Sequence, residues 1–214
     1  RAPLQIHCAE SEAEVEWMLH GRGPFAAWLG ESPRRAPLEH LLRAGALCPG
    51  TTLVHANHLD PERDGALLAR RGVALVHCPG AHRWFGRAPF PLAAWRRQGV
   101  RVVLGTDSLA SNDALDCRHE AALAMDALGV SPVETLGMLG DEAEDALGKP
   151  FGRSGLALGA RADFAAHRTL AGPEAAMEDL LRARQSVARV WIGGRQVLLC
   201  GEALDGGARA PGAV

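Results

Sequence analysis

The run Leu104-Gly105-Thr106-Asp107-Ser108-Leu109-Ala110-Ser111-Asn112 carries an apolar stretch straight into an acid that no neighbouring charge neutralises. A carboxylate closing a buried strand needs a cation, a metal ion or several hydrogen-bond donors. The competing reading makes Asp107 the cap of a helix starting near Asn112. Three other apolar stretches end in histidine, at His7, His55 and His77. Each histidine alone reads as a satisfied core residue. Four ionisable strand ends together do not, because each costs several kcal/mol to bury without a partner. Imidazole and carboxylate are suitable ligands for a zinc-like or iron-like divalent ion, which lowers the pKa of bound water toward ~7 and makes a nucleophile at neutral pH. A proton carrier is then required. Glu10, three residues past His7, lies in the mouth of such a site and can carry a proton from water to a leaving nitrogen, a step worth roughly 10²- to 10⁴-fold. Its alternative is a helix-entry acid, because Ser11-x-x-Glu14 has the form of a capping box.

The elements that must position these residues alternate strand and helix. Short, near-continuous apolar runs such as Val100 to Leu104 are expected of strands buried on both faces of a parallel sheet. Between them, Pro61 to Arg71 runs into Gly72, Pro91 to Gln98 into Gly99, and Leu38 to Ala44 into Gly45. Basic pairs in the last turn complement the helix dipole and the glycine supplies a left-handed cap, so Arg70-Arg71 and Arg96-Arg97 need no nucleic acid. The order predicts a parallel βα array with right-handed crossovers, whose chemistry sits at the C-terminal strand ends. By the two-residue period Asp107 shares the face of Val103, toward whatever the sheet encloses. Beyond the array, Ser131 to Leu147 reads as helix. Val187 to Ile192, Gly193-Gly194 and Gln196 to Cys200 then read as a hairpin.

His7-x-x-Glu10, His55, the His77-Cys78-Pro79 turn and Gly105-Thr106-Asp107 with Ser111-Asn112, in that order, resemble the second half of the amidohydrolase superfamily. The closest branch is the deaminase and chlorohydrolase group that includes adenosylhomocysteine, methylthioadenosine and aminofutalosine deaminases. The resemblance implies an α/β fold in which residues 1–150 supply strands five to eight of a (β/α)8 TIM barrel. Residues 151–205 would then form part of a small composite β-sandwich, with 206–214 a loose tail. It implies that His7 and Asp107 are metal ligands and that Glu10 shuttles protons. His55 would orient or polarise the water or substrate, and His77 would line the pocket. The implied cofactor is one divalent metal, zinc foremost, with iron or manganese as alternatives. The implied reaction is hydrolysis of a non-peptide carbon–nitrogen bond, namely deamination of a purine-nucleoside-like or related aminated heterocycle. Dechlorination is a sibling chemistry, and a non-catalytic half-barrel remnant is the alternative. His82 stands where relatives often carry Asn, which bears on the substrate. The family completes its metal site with a His-x-His pair that does not occur in these 214 residues, and the chain starts at Arg1. The expectation is therefore a C-terminal piece, inactive alone.

The segment Gly80 to Phe90 sets Trp84 and Phe85 between Arg83 and Arg87, with Gly and Pro flanking. Rings there can stack on a planar heterocycle while an arginine binds a carboxylate. The candidate substrate-binding residues are His77, His82, Arg83, Trp84 and Ser111. The long connection after Glu10, with Trp17, Phe25 and Trp28, is either a pocket cover or a small apolar cluster. His20, His40 and His119 read as surface or supporting residues. A net charge of −2 gives no electrostatic case for nucleic acid or anionic membrane. The partner is then a small-molecule substrate, and a homo-oligomer is left open. Five cysteines without a C-x-x-C pair read as small apolar residues of a reducing, cytoplasmic compartment. No G-x-S-x-G elbow supports Ser-His-Asp hydrolysis.

Overall fold

The computed structural model describes residues 3–148, 156, 158–168, 172, 175–182, 187–199 and 202–203. Four parallel strands, β1 (Leu4–Cys8), β2 (Thr51–His55), β3 (Ala74–His77) and β4 (Val102–Leu104), lie side by side in chain order. Helices α1 (Glu12–His20) and α2 (Pro37–Arg43) connect β1 to β2, with a 3₁₀ turn at Pro24–Ala27 between them. Helix α3 (Pro61–Arg71) connects β2 to β3, while α4 (Pro79–Trp84) and α5 (Leu92–Arg97) lie between β3 and β4. Three helices follow, α6 (Cys117–Leu128), α7 (Pro132–Leu139) and α8 (Asp141–Ala146). A second, antiparallel sheet then runs in the order β5 (Phe164–His167), β6 (Val187–Ile192), β7 (Arg195–Leu199) and β8 (Glu202–Ala203), with α9 (Ala176–Arg182) between β5 and β6. Among the described residues no helix is long and apolar enough to cross a membrane. Residues 206–214, read from sequence as a tail, and much of 151–157 lie outside the described residues.

Local chemistry sets the boundaries. Helix α3 starts at a proline behind Asp60, whose side chain accepts the Glu62 N–H, and stops at Gly72 with φ 64°. The stretch Ser131 to Leu147 is two helices rather than the single one the sequence predicts. A Ser131–Glu134 capping box opens α7, and Gly140, at φ −108° and ψ −108°, interrupts the run before α8. Gly193 and Gly194 both take positive φ, which closes the β6–β7 hairpin as expected.

The two faces of the parallel sheet are packed differently. Leu53, Leu75, Val102 and Leu104 face the helices and join Leu68, Trp95 and Met138 in the larger core. Val54, Ala74, Val76 and Val103 form a smaller cluster on the other face with Ala81 and Ala146. His7 stands opposite Val54 in the register, which puts it on the smaller face. His77 stands opposite Leu104 and alternates with Leu75, so the pleat turns it toward the helices. There it is buried, stacked on Phe90 at 4.2 Å and 19°, with His82 edge-on at 5.0 Å. Burial pushes the His77 imidazole down to about 3, so the ring is neutral.

Strands β2 and β3 are buried throughout, whereas β1 is largely exposed, and β1 and β4 each lack a second strand neighbour among the described residues. Open backbone edges of this kind pair with other chains. The isolated chain is expected to self-associate, and size-exclusion with light scattering should find species above 22.6 kDa. A monodisperse monomer with cooperative melting would show that the edges are closed in another way. His77 gives a second prediction. Its pKa is about 3 when folded and ~6.5 when unfolded, so the unfolded chain binds more protons between those values. The stability that follows is complete above about pH 6.5 and is lost as pH falls toward the folded pKa, at up to about 1.4 kcal/mol per pH unit. His77→Phe, which keeps the ring stack, should flatten this slope in urea titrations between about pH 6.5 and pH 4. An unchanged slope would place the titration elsewhere.

Candidate active site

The strands leave the sheet through backbone conformations that non-glycine residues seldom adopt. Ala9 after β1 has φ 49°, His55 and Ala56 at the end of β2 have φ 71° and 54°, and Asp107 beyond β4 has φ 57°. Each left-handed residue costs roughly 1–3 kcal/mol and persists only where its surroundings impose it. Backbone bonds supply part of that imposition: Ala56 N–H donates to Cys8 O at 3.1 Å, and His58 N–H to Ala9 O at 3.0 Å. The left-handed turn matters most at His55. Strict alternation would set it with Leu53 toward the helices; instead its ring lies 5.2 Å from that of His7.

His7, His55 and Asp107 each place one potential ligand atom within 4.8 Å of the others, the only such group among the described residues. His7 Nε2 is 3.7 Å from Asp107 Oδ1, and His55 Nε2 is 3.9 Å from Asp107 Oδ2. These gaps are too long for hydrogen bonds. Ligand atoms around a tetrahedral ion with bonds of ~2.1 Å lie roughly 3.4 Å apart, close to what is seen. His55 Nε2 is buried with no hydrogen-bond partner, and burial lowers its pKa against the pull of Glu10 and Asp107. A neutral imidazole with an unsatisfied buried nitrogen beside a carboxylate fits an ion or its bound water. Neighbouring thiols do not compete for that role, because burial pushes Cys8 and Cys78 up to about 12 and keeps them protonated.

Glu10 and Asp107 are both released from the duties that would have explained them away. Glu14, not Glu10, closes the entry to α1: its carboxylate accepts Ala9 N–H at 2.7 Å and Glu10 N–H at 2.9 Å, while Ser11 Oγ accepts Glu14 N–H. The Glu10 carboxylate instead faces His55 Nε2 at 3.8 Å and the Arg87 guanidinium at 3.5 Å. The nearest helix after Asp107 is α6, which begins at Cys117 and is capped by Asp116. Among the described residues the Asp107 carboxylate accepts one hydrogen bond, from Ser111 Oγ at 2.5 Å.

The remaining candidates are distributed more widely. His77 is not brought into the His7–His55–Asp107 group; with His82, Arg83, Arg87 and Phe90 it borders a cavity of about 430 Å³. His82 Nε2 meets Ala88 O at 2.6 Å. Arg83 is exposed and paired with Asp113 at 3.0 Å, and Trp84 is exposed. Arg87, which the sequence reading passed over for Arg83, is the arginine that reaches the Glu10 carboxylate. Glu120 was also missed. It is fully buried on α6 and binds the segments after β3 and β4 together. Its signal lay in the helical period, since Glu120 sits four residues before Ala124 on the buried face.

The amidohydrolase family model matches residues 1–197. The chain is 36% identical over 137 residues to an aminodeoxyfutalosine deaminase of Deinococcus radiodurans, covering 57% of this chain and 32% of that protein. It is 40% identical over 116 residues to a 5-methylthioadenosine/S-adenosylhomocysteine deaminase of Syntrophobacter fumaroxidans, covering 54% and 24%. Among solved structures, an adenosine deaminase from Xanthomonas campestris with bound zinc superposes with a TM-score of 0.74 at 27% identity, over 95% of this chain and 47% of that one. Helicobacter pylori aminofutalosine deaminase shares the fold with a TM-score of 0.74 at 22% identity, over 91% and 52%. The chain thus spans about a third or less of these curated relatives and about half of these solved structures. The match over nearly the whole chain, together with its parallel sheet and strand-end residues, places this protein in the amidohydrolase family.

Proposed function

We propose that this chain supplies strands five to eight of a (β/α)8 barrel and, with them, one side of the active site of a metal-dependent deaminase. The carrying observation is the convergence of His7, His55 and Asp107 within 4.8 Å, with the Glu10 carboxylate beside them. The deaminases among its relatives, and the zinc of one structural neighbour, support the same reading. In it, residues 1–150 belong to the barrel and 151–205 to a smaller β-domain.

His7 and Asp107 would hold a divalent ion, zinc foremost, which when bound lowers the pKa of water toward ~7. Glu10 takes the proton released by the attacking water and delivers it to the amino nitrogen of the substrate. One water is consumed, the carbon–nitrogen bond breaks, and ammonia leaves as a carbonyl forms. His55 Nε2, lying 3.8 Å from Glu10 and 3.9 Å from Asp107, is placed to orient that water. Its neutral imidazole can donate or accept as the tautomer requires. Phe90 and the His77 ring wall a cavity that Arg87 also lines, and Arg87, whose guanidinium reaches Glu10, would present it to polar groups of an aminated heterocycle.

Glu10→Gln in the full-length enzyme keeps size and polarity but removes the proton carrier. Turnover on a panel of aminated purine nucleosides should fall at least ~10²-fold with metal content unchanged. Near-normal turnover would remove Glu10 from the reaction. His7→Ala and Asp107→Ala should each lose metal, measured by elemental analysis after dialysis, whereas His20→Ala should not. His55→Ala should keep the metal and lose rate; loss of both would make His55 a ligand. Full metal and full activity in the Asp107 variant would sink this reading of the site.

A further inference from the structure

The bend that delivers Asp107 is held from behind by a buried polar chain that the proposed reaction does not use. Glu120 is fully buried on α6, and no arginine or lysine hydrogen-bonds to it among the described residues. Its Oε2 accepts Gly80 N–H at 2.7 Å from the first turn of α4, and its Oε1 accepts Asn112 Nδ2 at 2.6 Å. Asn112, itself buried, donates through the same Nδ2 to Thr106 O at 2.6 Å, and its Oδ1 accepts Asp113 N–H. Thr106 immediately precedes Asp107, whose φ is 57°. A Cβ at position 80 would lie 2.4 Å from both Asn112 side-chain termini, so a larger residue there must displace the Asn112 amide. Three segments, the start of α4, the turn after β4 and the buried face of α6, therefore meet on one carboxylate.

A buried carboxylate with no cation hydrogen-bonded to it is expensive. A fold that only needed to fill this space would do so with an apolar side chain. The two donors explain why a carboxylate is tolerated: both oxygens face N–H groups, and these oppose the upward push of burial on its pKa. They also fix direction, since an anchor accepting on both oxygens locks the Asn112 amide with its nitrogen toward Thr106.

We propose that Glu120 is a positioning residue for the metal site: through Asn112 it holds the Thr106 carbonyl, and so sets the left-handed turn that aims Asp107 at the ion. This rests on Asp107 being a ligand, and the test separates the two claims. In the full-length protein, cobalt(II) serves as the probe, because its d–d absorption reports ligand geometry and titration gives its affinity without any assay of turnover. Glu120→Gln keeps volume but sets an amide NH₂ against an N–H donor, so it should not rescue. Cobalt(II) affinity should fall by about 10- to 100-fold with an altered d–d band, while near-UV circular dichroism stays native. Thr135→Val is the control, since Thr135 is equally buried and among the described residues its hydroxyl serves only Ser131 O within its own helix turn. It should bind cobalt(II) as wild type does. Gly80→Ala is the second variant; it keeps the Glu120 charge and displaces Asn112 sterically, and it should weaken cobalt(II) in the same sense even if Glu120→Gln does not fold. Wild-type affinity and spectrum in a folded Glu120→Gln or Gly80→Ala protein would overturn the proposal, as would an equal loss in Thr135→Val. Retention of cobalt(II) by Asp107→Ala would instead overturn the assignment of the site itself.

Discussion

Asp107 is a carboxylate at the end of a buried strand that meets no guanidinium or ammonium among the described residues. Its compensation consists of one hydroxyl, from Ser111, and two imidazoles at distances too long for hydrogen bonds. One of those rings, His55, is held toward the neutral form by burial and so brings no full charge of its own. Under the proposed function, a bound divalent ion would supply the positive charge that balances this carboxylate. The rest of the sheet serves that arrangement. Parallel strands bring all their C-terminal ends to one edge, and the left-handed exits at Ala9, His55 and Asp107 turn chain direction sharply enough to bring side chains from three strands together.

Division of labour among the acids follows from the same constraint. Glu14 accepts two backbone N–H groups at the entry to α1, Asp116 caps α6, and Glu134 completes the capping box of α7. Each of these carboxylates is satisfied by backbone and fixed by it. Glu10 and Asp107 accept no backbone N–H among the described residues. Their carboxylates are left to face the imidazoles and Arg87.

Much of this was legible in the sequence because it depends on short-range rules. Strands β2 and β3 end on His55 and His77, β1 ends one residue past His7 and β4 three residues before Asp107, and α3 has the bounds its proline, basic pair and glycine announce. The placement of His7, Glu10 and Asp107 near one another at the strand ends was legible from type and spacing. That of His77 was not, because the strand end alone does not say which face the residue takes; its register with Leu104 turns it toward the helices. The position of His55 beside His7 depends on a left-handed backbone that nothing in the residue type requires. Helix α4, six residues long, is too short for an apolar period to mark it in the sequence.

Glu120 was the least legible feature, and the reason is physical. Its partners are Gly80, forty residues upstream, and Asn112, eight residues upstream, and only the packing of α6 across the ends of β3 and β4 brings them together. A helical period marks Glu120 as inward-facing, yet an inward acid is ambiguous between a catalytic group, an ion-pair partner and an anchor. Geometry removes the ambiguity. Both oxygens are taken by N–H donors and the side chain is fully buried, so Glu120 is closed off from a substrate. What it can transmit is position, along a path of two hydrogen bonds that ends on the residue before Asp107.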